Sequence, residues 1–410
     1  MDALDDFLRL HHAAGNAAWL REALRPATDD TPARPAWTAT DLLHAPAADW
    51  LAAGAPIGAR EAAWTTEALA YAGSVRQWLR RDPTHTLQGW ADADYPSLLR
   101  ETPNPPTALF LHGQAERLWW PQIAVVGSRA PTPAGRERAA RWARAFADAG
   151  FVVTSGLAAG VDAAAHGAAL EAARGGATEG ASTGIGTIAV TGTGPDRCFP
   201  AAHRGLHAAI ANAGCVVTEH PPGADARPEH FPSRNRIIAG LSLATVVVEA
   251  AQRSGALITA RLAAEAGREV FALPGAPENL KARGCHRLIR DGAVLVDDPQ
   301  QVIDAIAEGA AGMATRLWRA IGAGPASTRS AATAGAHTPE PAEGRDAVLR
   351  ALGAEGAGFD ELLLRTGLTS VTLAPILLDM ELEGRLTQQH GVFLPSGCAP
   401  PTRARLQRRR

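Results

Sequence analysis

The chain has 410 residues, 46% of them hydrophobic, a formal net charge of −2 and four cysteines. This length predicts two to four domains with real cores. The near-zero charge excludes a global attraction for nucleic acid or membrane, so any polyanion site must come from a local arrangement of charge. Cys198, Cys215, Cys285 and Cys398 show no C-x-x-C spacing and suit a reducing compartment. With no charged-then-apolar leader and no long apolar span, the expectation is a soluble, cytoplasmic protein without a membrane partner. Lys281 is the single lysine, against heavy use of alanine, glycine and arginine. That bias weakens any argument from arginine content alone.

Residues 1–85 carry helical patterning (Leu4, Phe7, Leu8, Leu10; Trp64, Leu69, Trp78, Leu79), broken by a Pro/Ala/Asp-rich stretch over 25–35. Six of the ten tryptophans fall within the first ninety residues. Spaced among alanines, they are expected to fill the core of a small helical domain rather than stack on bases. His11 and His12 are expected on a solvated helix face, with no metal partners at suitable spacing. Residues 87–113 read as an extended, proline-pinned connector ending in a strand at Leu109–Gly113.

The core, residues 86–310, alternates strands with helices. Strands are expected at Ile123–Val126, Phe151–Thr154, Thr187–Val190, Cys215–Glu219, Ala244–Glu249, Glu269–Leu273 and Ala293–Val296. Helices are expected at Ala134–Ala149, Val161–Ala173, Ala201–Asn212, Ile258–Ala266 and Pro299–Glu308. The alternation predicts an α/β fold, an extended Rossmann-like doubly wound parallel sheet of six or seven strands. Arg174–Gly186 is a low-complexity interruption before the third strand. A linker follows over 311–344, then a module over 345–396 with helices at Asp346–Leu352, Phe359–Thr366 and Val371–Leu382 and a hairpin over Gly384–Leu394, a winged-helix pattern. Its third helix carries Asp379, Glu381 and Glu383, which would repel duplex phosphate, so an interaction module is expected. A basic tail closes the chain over 397–410.

Ile123–Arg129 organises the core. An apolar, β-branched strand runs into Gly127, Ser128 and Arg129, which offer a tight turn, a hydroxyl with a backbone N–H, and a planar cationic fork. The next helix N-terminus is expected to add free amides. Gly-x-Gly-x-x-Gly is absent, so NAD is not expected and no cofactor or metal set is read. Glycine-bearing loops follow the other strands: Ser155-Gly156 through Asp162, Gly192-Thr-Gly194, and Arg253-Ser-Gly255. His230–Arg236, carrying Arg234, Asn235 and Arg236, reads as a further loop at the same edge. Together these predict an anion-binding concavity. Asp162 and His166 stand i, i+4. They are read either as an acid/base pair or as a helix cap beside a satisfied polar residue. Glu249 ends a buried strand and needs a partner.

These motifs, with Phe231-Pro-Ser-Arg-Asn-Arg, Ser254-Gly-Ala-Leu-Ile-Thr, Gly267 to Gly275 and Gly284 to Ala293, resemble the DNA-processing protein A (DprA/Smf) family over about residues 88–305. The resemblance implies a non-enzymatic, dimeric, single-stranded-DNA-binding recombination mediator of natural transformation. It implies protection of incoming strands and loading of a RecA-type recombinase, with homodimerisation through the Rossmann-like domain. It also implies a DNA site around Arg129, Ser155, Gly156, Gly194 and Arg234–Arg236, to which Phe199 and Arg204 are added as stacking and phosphate contacts. Phe199 stands where the family usually has tyrosine, and His203 where it has asparagine. The helix-hairpin-helix glycines expected near the N-terminus are reduced to Ala13-Ala-Gly15-Asn16. The alternative is a Rossmann-type nucleotide-processing enzyme, phosphoribohydrolase-like, against which stands the lack of Pro-Gly-Gly-x-Gly-Thr.

Overall fold

The computed structural model describes residues 2–25, 37–175 and 186–320, and in the C-terminal part residues 348–352, 357–358, 362, 365–366, 377, 380, 386–389 and 392–395. It divides into two compact units, Met1–Pro325 and Ala326–Arg410.

The first unit opens with helices α1 (Ala3–Ala14), α2 (Ala18–Ala23), α3 (Ala39–His44), α4 (Ala47–Ala52), α5 (Ala59–Ala63) and α6 (Thr66–Arg81). Local chemistry starts them: Asp2, Thr38 and Thr65 each accept a backbone N–H of the first turn, satisfying donors that the helix itself cannot. Trp50 is buried with Leu10, Leu20, Leu42 and Leu43, as expected of a helical core. His11 departs from its expected solvated face: it is 6% exposed and its Nδ1 lies 2.8 Å from the Tyr71 hydroxyl.

The sheet follows: β1 (His85–Gly89), α7 (Ser97–Arg100), β2 (Ala108–Gly113), β3 (Gln122–Val126), α8 (Pro133–Asp148), β4 (Val152–Ser155), α9 (Val161–Gly175) and β5 (Thr187–Val190). Next come α10 (Arg204–Ala213), β6 (Cys215–Thr218), α11 (His230–Leu241), β7 (Ala244–Val247), α12 (Ala256–Glu265), β8 (Glu269–Ala272), α13 (Arg283–Arg290), β9 (Val294–Leu295) and α14 (Pro299–Ala320). The strand order is β1-β2-β6-β5-β4-β3-β7-β8-β9, with β6 to β9 parallel throughout. Seven parallel strands at the expected places make the doubly wound sheet. α8, α9 and α14 bury one face around Ile123, Val125, Val153 and Val246. α11, α12 and α13 bury the other around Ala124, Val126, Ile188 and Val217. Both faces being covered explains the uninterrupted apolar strands.

Four expectations are corrected. The expected strand at Leu109–Gly113 is β2, but it joins the same sheet antiparallel, and β1 adds a further antiparallel strand where the sequence shows only a connector. β1 carries one strong apolar residue, Leu87, too few for a period-2 signal. The boundary at 85/86 does not separate compact units, because Leu8, Ala72, Val75 and Trp78 of α1 and α6 pack on Ala108 and Phe110 of β2. His230–Arg236 is the first half of a helix, not a loop; Pro232 sits in its first turn, where no intrahelical N–H is required. Finally, α14 continues to Ala320, so the expected linker of 311–344 is helical over its first ten residues.

The second unit has a three-stranded antiparallel sheet of β10 (Ala357–Gly358), β11 (Leu386–Gln389) and β12 (Val392–Pro395), in the order β10-β12-β11. The β11–β12 pair is the expected hairpin, and Val348, Leu352, Leu362, Leu377, Met380 and Phe393 form its core. Most of the 174–186 interruption, Asp379, Glu381 and Glu383, and the basic tail lie outside the described residues. No described helix is long and apolar enough to cross a membrane.

Candidate functional site

In strand order the chain steps from β3 to β6 in one direction, then restarts beside β3 with β7 and proceeds in the other. The loops after β3 and β7 therefore splay apart, and this switch point is where doubly wound sheets hold ligands. A cleft of about 670 Å³ opens there, lined by Val126–Ala130, Phe231, Arg234, Asn235, Ala251 and Arg253–Ala256, with Asp162 at its floor. Five of the eleven candidate residues, Gly127, Ser128, Arg129, Arg234 and Asn235, meet in it. Ser155, Gly156, Gly194, Phe199, Arg204 and Arg236 are not among its lining.

The arginines divide by burial. Arg129 is exposed, with its guanidinium 6.0 Å from the Phe231 ring centroid. Arg253, which the sequence places only in a glycine-bearing loop, is also exposed at the rim. Arg234 is 4% exposed. Its Nη1 donates to Gly156 O, at 2.5 Å, and to Val190 O, and its Nε donates to Asn235 Oδ1 at 3.2 Å. Burial pulls its pKa down to about 10 against the opposing pull of Asp162. Arg234 thus stitches the β4 and β5 loops to α11, and one edge of its guanidinium is already spent on carbonyls. Arg236 pairs with the buried Glu219, so its expected role as an open phosphate contact is corrected: Glu219 supplies its anion. Arg204 is exposed at the start of α10, away from the cleft lining.

Glycines and small residues act by allowing close approach. A Cβ at Gly127 would stand 2.7 Å from Val161 Cγ2 and 2.9 Å from Glu249 O; one at Gly156 would collide with the Arg234 guanidinium. At Gly194 it would stand 2.5 Å from Pro221 O. Ser155 Oγ donates to Val125 O at 2.6 Å. The Ser128 amide, expected to be open, donates to Glu249 O at 2.6 Å.

The N-terminus of α8 was likewise expected to be open, yet it is filled from within. Thr132 caps Gly135 N at 3.0 Å, and the Glu249 carboxylate accepts from Thr132 N at 2.9 Å and from Thr132 Oγ1 at 2.6 Å. This is the partner that Glu249 required. The N-terminus of α12 also lines the cleft, and it too is filled from within: Ala256 N donates to Ser254 Oγ at 3.3 Å, and Leu257 N to Ser254 O at 3.1 Å.

Asp162 and His166 resolve to the structural alternative. Asp162 Oδ2 accepts from Gly156 N at 3.2 Å and from Ala158 N at 3.3 Å, while burial pushes its carboxyl up. His166 is fully buried; its Nδ1 lies 2.8 Å from Thr187 Oγ1, and its Nε2 accepts from Leu157 N at 3.3 Å. Burial takes its pKa down to about 3. The pair holds the loop 155–158, in which Leu157 has φ 56°. Beyond the cleft, Phe199 is 50% exposed and tilts on Phe231 with ring centroids 5.1 Å apart. The Arg129 guanidinium, Phe231 and Phe199 thus follow one another at the mouth of the cleft.

Fold and cleft together define a doubly wound α/β binding protein whose switch-point site presents exposed arginines and an aromatic edge. Such a set suits a ligand with both phosphates and flat rings. The chain belongs to the DNA recombination-mediator protein A family, whose model matches residues 86–307. A DprA winged helix domain matches residues 332–392. Protein Smf of Synechocystis is 35% identical over 319 residues, 73% of this chain and 77% of that protein. DNA processing protein DprA of Streptococcus pneumoniae is 43% identical over 212 residues, 52% of this chain and 71% of its own. The X-ray structure of DprA from the same organism superposes with a TM-score of 0.55 at 30% identity, covering 73% of this chain and 97% of that one.

Proposed function

We propose that this member of the DNA-processing recombination mediators holds single-stranded DNA along the edge formed by Arg129, Arg253, Phe231 and Phe199, without catalysis. The observation that carries the reading is the exposed Arg129 guanidinium beside the Phe231–Phe199 pair at the mouth of the switch-point cleft. Phosphates are met by arginine forks, and bases by ring faces. Neither contact reads base edges, so binding is sequence-tolerant. Family resemblance supports loading of a RecA-type recombinase, homodimerisation through the sheet domain and a cytoplasmic location.

The test is fluorescence anisotropy of a labelled oligothymidine across a salt series, comparing wild type with Arg129→Ala/Arg253→Ala. Both side chains are exposed, so the fold is expected to persist. The expected result is affinity reduced tenfold or more, from charge-assisted contacts of about 1.5 kcal/mol or more each. The log–log salt slope should shrink by about 0.7 per lost phosphate contact. Equal binding by both proteins would remove the strand from this cleft.

A further inference from the structure

On the far antiparallel edge of the sheet, remote in the strand order from the switch point, one ligand atom from each of Asp82, His85 and His112 lies within 4.8 Å of the others. We propose that these three side chains form a binding site for a zinc-class divalent transition ion, which ties the end of α6 to the β1–β2 ladder. His85 and His112 are direct partners across that antiparallel ladder, and Asp82 is the residue that terminates α6. The three therefore come from three separate elements.

Each group is held with one donor atom to spare. His85 Nδ1 donates to the Trp78 carbonyl at 2.8 Å, and its ring lies flat on Trp78, with centroids 4.1 Å apart and planes 11° apart. This fixes the tautomer and leaves Nε2 as a lone pair, the arrangement that a backbone carbonyl imposes on metal-binding imidazoles. Asp82 Oδ1 accepts from Thr84 N at 2.8 Å and from Thr84 Oγ1 at 2.7 Å, leaving Oδ2 available. His112 Nδ1 is buried with no hydrogen-bond partner. The two imidazole rings meet edge to face, 4.7 Å apart.

Two nitrogens and one carboxylate oxygen disfavour calcium and magnesium, which take oxygen ligands, and suit zinc, cobalt or nickel. Tetrahedral bonds of 2.0–2.1 Å need donors roughly 3.3 Å apart, a contraction that the half-exposed side chain of Asp82 can supply. A fourth position is left for water. The site shares no residue with the switch-point cleft and stands independently of the reading proposed for it.

The experiment is calorimetric titration of the full, tag-free chain with ZnCl2. Absorption spectra with CoCl2 and thermal unfolding with and without Zn2+ accompany it. The expected result is one equivalent bound with micromolar or tighter affinity, a tetrahedral Co2+ spectrum, a raised unfolding midpoint and no response to Mg2+. Asp82→Asn, which keeps size and the Thr84 contact, and His112→Gln should each weaken binding tenfold or more and abolish the midpoint shift, with oligothymidine binding unchanged. Zn2+ binding below one equivalent in wild type, or undiminished in Asp82→Asn, overturns the proposal. Since Asp82→Asn alters a half-exposed carboxylate outside any core, a misfolded His112→Gln would leave the decision with it.

Discussion

At the scale of single residues, the site separates arginines that can meet a ligand from an arginine that builds the place where the ligand is met. Arg234 is enclosed: its donors serve Gly156 O and Val190 O, and it supplies the positive charge facing the buried Asp162. Arg234→Ala strands both carbonyls and leaves Asp162 without its cation, so a loss of about 3 kcal/mol or more is expected. Urea unfolding should show it as a lowered midpoint, whereas Arg129→Ala, at an exposed guanidinium, should leave the midpoint within about 0.5 kcal/mol of wild type. A DNA-binding defect in Arg234→Ala would therefore be read only beside its stability. The sequence marked 129, 234 and 236 alike as arginines at one edge. Burial and partners distinguish them, and neither is written in residue type.

At the scale of elements, α8 shows how a helix terminus is taken out of service. Glu249, at the end of the β7 strand region, reaches across to Thr132 and neutralises the amides that would otherwise face a ligand. Thr132→Ala removes both the cap on Gly135 N and a donor to a 3% exposed carboxylate. The cap alone is worth about 1 kcal/mol, and the stranded carboxylate about 1–3 kcal/mol more. Thr132→Ser, which keeps the hydroxyl, should recover most of the loss in the same urea titration. Glu249 was recognisable from the sequence as a charge needing a partner, because it follows an apolar strand. That the partner would be a helix cap rather than an arginine depended on the β3–β7 pairing. The hairpin Ala13–Asn16 is a second case. Asn16 Oδ1 accepts from Thr107 N at 2.9 Å and its amide donates to Glu219, so this turn is fastened beside the sheet.

At the scale of the whole molecule, buried histidines give the stability a definite pH dependence. Burial lowers His166 from 6.5 to about 3, and burial with His12 nearby lowers His11 from 6.5 to about 4. Between those values and 6.5 the unfolded chain binds protons that the folded chain refuses, so stability is full above about pH 6.5 and falls as the pH drops toward 4. The slope approaches about 1.4 kcal/mol per pH unit for each of the two groups. Chemical unfolding at pH 7, 6, 5 and 4 should show that decline, and it should be shallower in His166→Gln. A flat profile would mean that these imidazoles take up protons in the native state or that buried Asp162, whose carboxyl is pushed up by burial, offsets them.

The sequence by itself determined the parallel sheet, the places of its seven strands along the chain, most of the helices between them, the C-terminal hairpin and the family. These rest on apolar runs, glycines and motifs that are local in the chain, and the seven parallel strands lie within a residue or two of where those patterns put them. Tertiary structure alone decided that the N-terminal helices share the sheet's core through Phe110, that Arg234 and Arg236 are already partnered, and that Glu249 fills the N-terminus of α8. It also brought Asp82, His85 and His112 together, 30 residues apart at the extremes, through one rung of an antiparallel ladder. Periodicity reports which way a side chain faces; strand order and register decide what it faces, and those are set by packing between elements distant in the chain.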